Sequence, residues 1–421
     1  MDRMVLGKDG IYHWAKIENL SPESLYCCQV ETRGVKGPLT CVKTLPRPEG
    51  QLLFAFGVVS DTHLAMDTSA GDPNETYLGK LLEDALPLLQ KALEDIHEWK
   101  AKAVFFTGDL TESSGEKEYR ILAGLLSSSC LPWYACPGNH DKYQQRTGGI
   151  GEEGFRRFLR QDTPYHALFL QGYLFILLDS AQKDNDWGFI DPEQLDWLKK
   201  LLEENRQVPT FIFLHHPVNG PDIWFGARNF FELQKIIQRA SNVQAVFCGH
   251  MHRNAITTNR WLGGSRPYIE VSATVQFPCG YGLVRVYEGG FEYGSHEISR
   301  LDLSEKSRRK VALGLGSLYS QYAFGSLADR SLSYLSDRKK LVQPEIYSLS
   351  FSVDSGSLEH LYTQIQQWGG ASIEPATGKG SYRLILGRFP CLKEAKRFQR
   401  RLARLLKRPV EIIGEKPGNS R

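Results

Sequence analysis

The chain has 421 residues, 41% of them hydrophobic and 24% charged, with a formal net charge of +3. That length exceeds one ordinary domain and supplies ample apolar material for a core, so two or three domains are expected. The near-balanced charge gives no general argument for a nucleic-acid partner, no apolar run is long enough to form a transmembrane segment, and Met1–Trp14 lacks the apolar stretch of a secretory signal. The eight cysteines show neither CxxC spacing nor a regular framework, and several sit inside apolar runs, as Cys248 does in AVFCGH. Buried free thiols are the expectation.

Residues 1–47 read as β-structure: IYHWAKI, SLYCCQVET and LTCVKTL are short, β-rich and separated by turn residues. The stretch Leu20-Ser-Pro22-Glu-Ser24-Leu-Tyr26 is similar to the Leu-x-Pro-x-Thr-x-Tyr corner of fibronectin type III-like sandwiches, in which the tyrosine hydroxyl anchors to nearby backbone. Such a sandwich needs about seven strands. The three available here read as the back end of a partial domain, which implies a start upstream of Met1, or as an extra hairpin packed on the next domain. Pro46, Pro48 and Gly50 then mark a linker.

From 52 to 299 strand-like and helix-like stretches alternate, the pattern of a layered α/β domain. LFAFGVVS, AVFFTG, PWYACPG, YLFILLDS, TFIFLHH, VQAVFCGH and YIEVSAT are strand candidates, with amphipathic helices at Leu78–Lys100 and Pro192–Asn205, and YGLVRVYEGGFEYGSHEI closes the domain as a hairpin. Residues 300–344, rich in Ser, Gly and charge, read as linker with some local structure. Residues 345–415 then repeat strand and helix as β-α-β-α-β, a small unit able to fold alone.

The polar residues that follow the apolar runs of the middle domain carry the chemistry. They are Asp61 and His63, Asp109 in FFTGDLTE, Asn139-His140-Asp141 in CPGNHD, His215 in FLHHP, and His250 and His252 in CGHMH. Asp61 and His63, two apart on an extended segment, point the same way. One strand-end histidine is usually structural; five such clusters, lined along one edge of a parallel sheet, indicate a ligand site. Oxygen and imidazole donors without thiolate suit Mn2+, Fe2+ or Zn2+. The donors are too many for one ion and fit two cations sharing one carboxylate.

DxH, GD, GNHD, HH and GHxH, in this order over residues 61–252, resemble the calcineurin-like metallophosphoesterases, and the ending is similar to bacterial cyclic-nucleotide and glycerophosphodiester phosphodiesterases and to purple acid phosphatases. The resemblance implies a four-layer α/β/β/α metallophosphoesterase sandwich over 52–299. It implies that Asp61, His63 and His252 hold one divalent metal ion, that Asn139, His215 and His250 hold a second, and that Asp109 bridges them, with His216 behind His215. His140 would stand over the substrate, with Asp141 orienting its ring. The implied reaction is hydrolysis of a phosphomono- or phosphodiester by water activated between the metals. The alternatives are a catalytically spent scaffold protein and a nuclease of the same superfamily. Purple acid phosphatases carry an iron-binding Tyr three residues after the bridging Asp; here that position is Glu112, which favours two divalent ions over a ferric site. The loops 65–80, 141–154 and 219–229 overhang the site, and Arg146, Trp224 and Arg228 either clamp a phosphate or stack a base, or are solvated loop residues. No basic track with interleaved aromatics is present, so no nucleic-acid partner is expected.

Tyr347-Ser-Leu-Ser-Phe351, with Tyr382-Arg-Leu-Ile-Leu-Gly387-Arg-Phe389 and a following helix, resembles the SPOR domain, which implies binding to peptidoglycan glycan strands through 345–415. Phe351 and Tyr382 either face the glycan or lie in the core. Leu392, Ala395, Phe398, Leu402 and Leu405 form an apolar stripe on that helix, opposite a basic face. Wall binding implies an extracytoplasmic location if the N-terminus is incomplete, and a cytoplasmic one otherwise.

Overall fold

The computed structural model describes residues 20–66, 79–219, 225–258, 266–336, 340–342, 346–354, 371–375, 381–389 and 409–415, with isolated positions besides. Strands β1 (Leu25–Thr32) and β2 (Val35–Lys43) form an antiparallel hairpin that turns at Arg33 and Gly34, both at positive φ. The Tyr26 hydroxyl accepts the Ser21 backbone N–H at 2.8 Å, the anchoring that the corner motif implies. IYHWAKI falls outside the described residues apart from Ile17, so the described part of this segment is two strands rather than three. Cys27 and Cys41 stand directly opposite each other and form a disulfide, against the expectation of free thiols throughout. Their fourteen-residue separation carries no sequence signature; cross-strand pairing is what brings them within bridging reach. Cys136, Cys248 and Cys279 are buried free thiols, as expected.

The middle domain holds β3 (Leu52–Val59), β4 (Val104–Phe106), β5 (Trp133–Ala135), β6 (His166–Leu170), β7 (Tyr173–Leu177), β8 (Thr210–Phe213), β9 (Val243–Cys248), β10 (Ala255–Thr258), β11 (Pro267–Glu270), β12 (Gly280–Tyr287) and β13 (Gly290–Glu297). With β14 (Ser331–Leu335) and β15 (Lys340–Val342) these make two sheets: six strands in the order β10-β11-β9-β8-β7-β6, and seven in the order β15-β14-β13-β12-β3-β4-β5. β3, β4 and β5 run parallel, as do β7, β8, β9 and β11, and the remaining pairs are antiparallel.

Side-chain alternation along the central strands sets the layering. Phe54, Phe56 and Val58 of β3 and Phe105 of β4 meet Phe175 of β7, Phe211 and Phe213 of β8 and Phe247 of β9 in one core between the sheets. The intervening residues face outward. Ala55, Val59, Val104 and Phe106 pack under the helices Ala85–Glu98 and Glu116–Ser128, while Ile176, Ile212 and Val246 pack under Pro192–Glu204 and Phe230–Arg239. Strands buried on both faces read as continuous apolar runs. The result is helix, sheet, sheet, helix. The five clusters accordingly lie on the facing edges of two sheets, not along the edge of one: a run of apolar residues tells that a strand is buried, not which sheet it joins.

Residues 300–344 are not a linker where the structure describes them. They form helices Leu301–Gly314, Ser317–Phe324 and Leu327–Arg330, followed by β14, which pairs with β13, and β15. The first helix buries Ser304 and Ser307 beside Leu303 and Val311, the two hydroxyls donating to the carbonyls of Pro278 (3.0 Å) and Gly79 (2.6 Å). Polar residues on a buried face are invisible to a reading that looks for an apolar stripe. β16 (Ile346–Asp354), β17 (Ala371–Pro375), β18 (Ser381–Phe389) and β19 (Glu411–Glu415) form a separate antiparallel sheet in the order β17-β18-β16-β19. Phe351 pairs with Leu384 and both are buried, which places Phe351 in a core rather than on a glycan-facing surface. The Tyr382 side chain and most of the helix predicted around Leu392–Leu405 lie outside the described residues; Leu402 is buried.

The inter-sheet core gives a stability test. The Phe105 ring stacks on Phe175 and on Phe213, each with centroids 4.6 Å apart, so it is gripped by rings from the opposite sheet. Phe105→Ala is expected to lower the unfolding free energy in urea by about 3–5 kcal/mol; a loss under about 1 kcal/mol would mean the sheets are not packed through this ring.

Candidate metal centre

Each candidate ligand sits just past the end of a strand, and most of them where the backbone turns sharply. After β3 come Asp61 (φ 52°) and His63 (φ 43°); after β4 come Gly108 (φ 95°) and Asp109 (φ 51°); after β9 come His250 (φ 69°) and His252 (φ 49°). Non-glycine residues in the left-handed region cost about 1–3 kcal/mol each and cluster where function requires a fixed geometry. Gly108 and Gly138 permit the close approach: a Cβ on Gly108 would stand 2.7 Å from His215 Nδ1, and one on Gly138 would stand 2.2 Å from Asp109 Oδ1.

The donor atoms fall into two groups. His63 Nε2 lies 3.1 Å from His252 Nε2, 4.0 Å from Asp61 Oδ1 and 3.6 Å from Asp109 Oδ2, and His252 Nε2 lies 3.4 Å from Asp61 Oδ1. His215 Nε2 lies 3.0 Å from Asn139 Oδ1, 3.0 Å from His250 Nδ1 and 3.3 Å from the same Asp109 Oδ2. Bonds of about 2.0–2.2 Å from a metal put neighbouring ligand atoms about 3.0–3.5 Å apart, so both groups have the dimensions of a coordination shell. All seven residues singled out as ligands in the sequence converge, and one carboxylate oxygen faces both groups.

Hydrogen bonds fix which nitrogen looks inward. His63 Nδ1 donates to Glu112 Oε2 at 2.5 Å, His252 Nδ1 donates to Gln276 Oε1, and His215 Nδ1 donates to the Thr107 carbonyl at 2.8 Å. With Nδ1 protonated, the inward Nε2 atoms of His63 and His252 present lone pairs to each other at 3.1 Å in a buried site. That contact is repulsive unless a cation or proton lies between them. Outer partners of this kind set the tautomer and basicity of metal-binding imidazoles.

The electrostatics are those of a cation hole. Burial, then the Lys80 charge, push His63 down to about 4, and burial with the His215 charge pushes His250 down to about 3, so both are neutral at pH 7. Burial opposes ionisation of Asp61 and Asp109, yet His252 and His215 respectively hold these carboxyls below the ordinary carboxylate range. His215 is opposed by burial but raised by Asp109 to about 9. It must release its proton to bind a metal.

His216 is buried behind His215, its Nδ1 at 2.9 Å from Ser180 Oγ. His140 Nδ1 donates to the Glu112 carbonyl at 2.6 Å, and its ring meets the His63 ring edge-on at 4.5 Å. Asp141 does not orient the His140 ring, contrary to expectation. Its carboxylate accepts the backbone N–H groups of Leu110, Thr111 and Gly138 and the Thr111 hydroxyl at 2.9–3.1 Å, so it ties the Asp109 loop to the Asn139 loop. A carboxylate directed at three amides has no oxygen left for the neighbouring imidazole.

Lys80 and Glu112 form the part of the site missed in the sequence reading. Glu112 holds His63 by its side chain and His140 by its main chain, and the buried Lys80 ammonium lies 3.4 Å from the same carboxylate. An acid three residues after Asp109 was a usable signal for Glu112; nothing near Lys80 marked it. Arg146 pairs with Asp186 at 2.5 Å, and the Arg228 guanidinium lies 3.7 Å over the Trp187 ring, so each already has a protein partner. Trp224 and loop residues 67–78 lie outside the described residues.

The calcineurin-like phosphoesterase family model matches residues 54–254. That stretch of the chain is similar to this family. The chain is a metal-dependent phosphoester hydrolase. It is 26% identical over 215 residues to a probable glycerophosphodiester phosphodiesterase of Arcobacter nitrofigilis, covering 48% of this chain and 72% of the relative. It is 27% identical over 214 residues to the 3',5'-cyclic adenosine monophosphate phosphodiesterase CpdA of Haemophilus influenzae, covering 49% and 71%. Among solved structures, a dimetal phosphatase from Danio rerio superposes with a TM-score of 0.50 at 15% identity, covering 58% of this chain and 96% of that one, which shows a shared fold. Among the described residues no helix is long and apolar enough to cross a membrane.

The His215 proton gives a pH test. Raised from 6.5 to about 9, His215 contributes stability to the metal-free protein that is fully present below pH 6.5 and fades as pH rises through 9. The same proton competes with the cation. Mn2+ affinity at the His215 group is expected to rise about tenfold per pH unit between pH 7 and 8, with about one proton released per ion, measured by calorimetry in buffers of different ionisation enthalpy. Binding that ignores pH in this range would show that His215 is not a ligand.

Proposed function

We propose that Asp61, His63 and His252 hold one divalent cation, that Asn139, His215 and His250 hold a second, that Asp109 bridges the two, and that the site hydrolyses a phosphodiester. The observation that carries this reading is the shared oxygen: Asp109 Oδ2 stands 3.6 Å from His63 Nε2 and 3.3 Å from His215 Nε2. When bound, two such cations neutralise phosphate oxygens and lower the pKa of water enough to supply a nucleophile near neutral pH. The remaining steps belong to this chain's own residues.

His140 stands at the mouth of the site, its side chain 15% exposed in a centre where His63 and His215 are closed off. With Nδ1 committed to the Glu112 carbonyl, Nε2 is the atom that holds a proton for the leaving alkoxide or donates to a phosphate oxygen. Asp141 keeps the Asn139–His140 turn in register with Asp109, so the proposed acid and the bridging carboxylate stay at a fixed separation. The diester preference is supported by the relatives, which are named as diesterases.

The test uses the whole chain with Mn2+, bis(p-nitrophenyl) phosphate and p-nitrophenyl phosphate. The diester is expected to be the faster substrate, and chelation to abolish turnover. Asp109→Asn is expected to lose bound metal and at least about a hundredfold in rate. His140→Ala is expected to keep both metals while losing about 10²–10⁴-fold in kcat. Full activity in Asp109→Asn would end the two-cation reading; full activity in His140→Ala would remove the proton role alone.

A further inference from the structure

An asparagine ligand has a right end and a wrong end. Its amide oxygen can bind a cation, whereas its NH2 group repels one, and the two are nearly the same size and shape. Something must therefore decide which end of Asn139 faces the His215 group. The hydrogen bonds behind Asn139 supply the decision. Asn139 Nδ2 donates to the Tyr143 hydroxyl at 2.7 Å, the Tyr143 hydroxyl contacts Asp186 Oδ1, and Arg146 Nη1 donates both to Asp186 Oδ1 at 2.5 Å and to the Tyr143 oxygen at 3.2 Å. Asn139 and Tyr143 are buried, while Asp186 and Arg146 lie at the rim with side chains 45% and 47% exposed.

Proton counting fixes the direction of every bond in this chain. Arg146 can only donate, and an ionised Asp186 can only accept. The single Tyr143 proton must then go to Asp186, and both lone pairs of the Tyr143 oxygen are left to accept, one from Arg146 and one from Asn139. The Asn139 atom that faces Tyr143 must be a donor, so it is the NH2 group, and the carbonyl oxygen is turned toward His215 Nε2, 3.0 Å away. Reversing the amide would set its oxygen against an oxygen that has no proton to offer.

We propose that Tyr143, held by the Arg146–Asp186 pair, is a positioning residue that locks the Asn139 amide with its oxygen toward the second cation. The inference rests on Asn139 being a ligand, as proposed above. Tyr143 itself touches neither the cation nor substrate in this role. It follows that the Arg146–Asp186 pair at the rim acts on the metal centre through the polarity of one hydroxyl rather than by clamping substrate.

Mn2+ titration by calorimetry, with the electron paramagnetic signal of a coupled manganese pair as second readout, separates the outcomes. Tyr143→Phe is expected to weaken the second Mn2+ by about 10–100-fold, as loss of an outer-shell partner does, to suppress the coupled signal, and to leave the first Mn2+ unchanged. A carboxylate has no wrong end, so in an Asn139→Asp background the same Tyr143→Phe change is expected to alter the second affinity by no more than about twofold. Asp186→Asn, a rim change that leaves the buried packing in place, is expected to weaken the second ion as well, since the Tyr143 proton is then no longer committed. Equal losses in the wild-type and Asn139→Asp backgrounds would assign Tyr143 a packing role and overturn the proposal, as would unchanged second-ion affinity in either Tyr143→Phe or Asp186→Asn. Asn139→Ala separates the two levels of the argument: second-ion affinity unchanged there means Asn139 is no ligand, which overturns this inference together with that assignment, whereas loss there with no effect of Tyr143→Phe overturns only this inference.

Discussion

Everything in the catalytic domain depends on a contact that no protein atom makes favourable. Asp61 and Asp109 are buried as ionised carboxylates, and the imidazole nitrogens of His63 and His252 face each other at 3.1 Å with their other nitrogens already protonated. A protein interior penalises isolated charge and unpaired polar atoms by several kcal/mol each. Such a grouping persists only where a counter-charge of the right size enters, or where protons take its place. His215, raised to about 9, is the protein's own substitute: in the absence of a cation it carries a positive charge between Asp109 and the Asn139 oxygen.

Holding seven donors at coordination distance demands rigidity, and the fold obtains it by compressing two sheets on a core of stacked phenylalanines. The loops that leave β3, β4 and β9 then have almost no length in which to turn. Their answer is left-handed backbone at Asp61, His63, Asp109, His250 and His252, five of the seven proposed ligands. The strain falls on the residues whose side chains must be aimed, and the inter-sheet packing overdetermines it. The core and the chemistry are therefore one design: loosening Phe105 or Phe213 would relax the very turns that aim the ligands.

The sequence shows the ligands more clearly than it shows what steers them. Six of the seven proposed ligands follow apolar runs of strands buried on both faces, which cannot be disguised, so Asp61, His63, Asp109, His215, His250 and His252 stand out; Asn139 follows the half-buried β5 and is marked by the GNHD motif instead. Strands β6 and β10 do not, because β6 is only half-buried and β10 is four residues at an edge. Roles that depend on hydrogen-bond direction are hidden altogether. Asp141 sits next to His140 in the chain and looks like its partner, yet its oxygens are taken by the amides of another loop. Glu112 looks like a mere departure from a related metal ligand, yet it holds two histidines at once. The Cys27–Cys41 bridge and the helices of 301–330 fail to show for the same reason: their partners are set by pairing and by buried hydroxyls, not by a periodic pattern.

Those helices change what counts as the site. The residue after His252, Arg253, is gripped by Glu270 of β11 through Nε at 2.5 Å and Nη2 at 3.0 Å, and its guanidinium lies 4.8 Å over the Tyr322 ring. Asn254 is bonded by its backbone N–H to the Ala323 carbonyl at 2.9 Å. Gln276, which receives the His252 Nδ1 proton, is followed by Phe277, whose N–H donates to Ser307 Oγ at 2.7 Å. Both supports of His252 thus run into the segment 301–324, beyond the residues 54–254 that the family model matches. Removing Arg253 would leave the buried Glu270 carboxylate without its cation, a change that costs up to about 3–5 kcal/mol, enough to shift a proposed ligand held at an unfavourable φ. The proposed metal centre is a property of the two sheets together with this helical segment, and a fragment ending at residue 254 would keep every proposed ligand while losing the supports of His252.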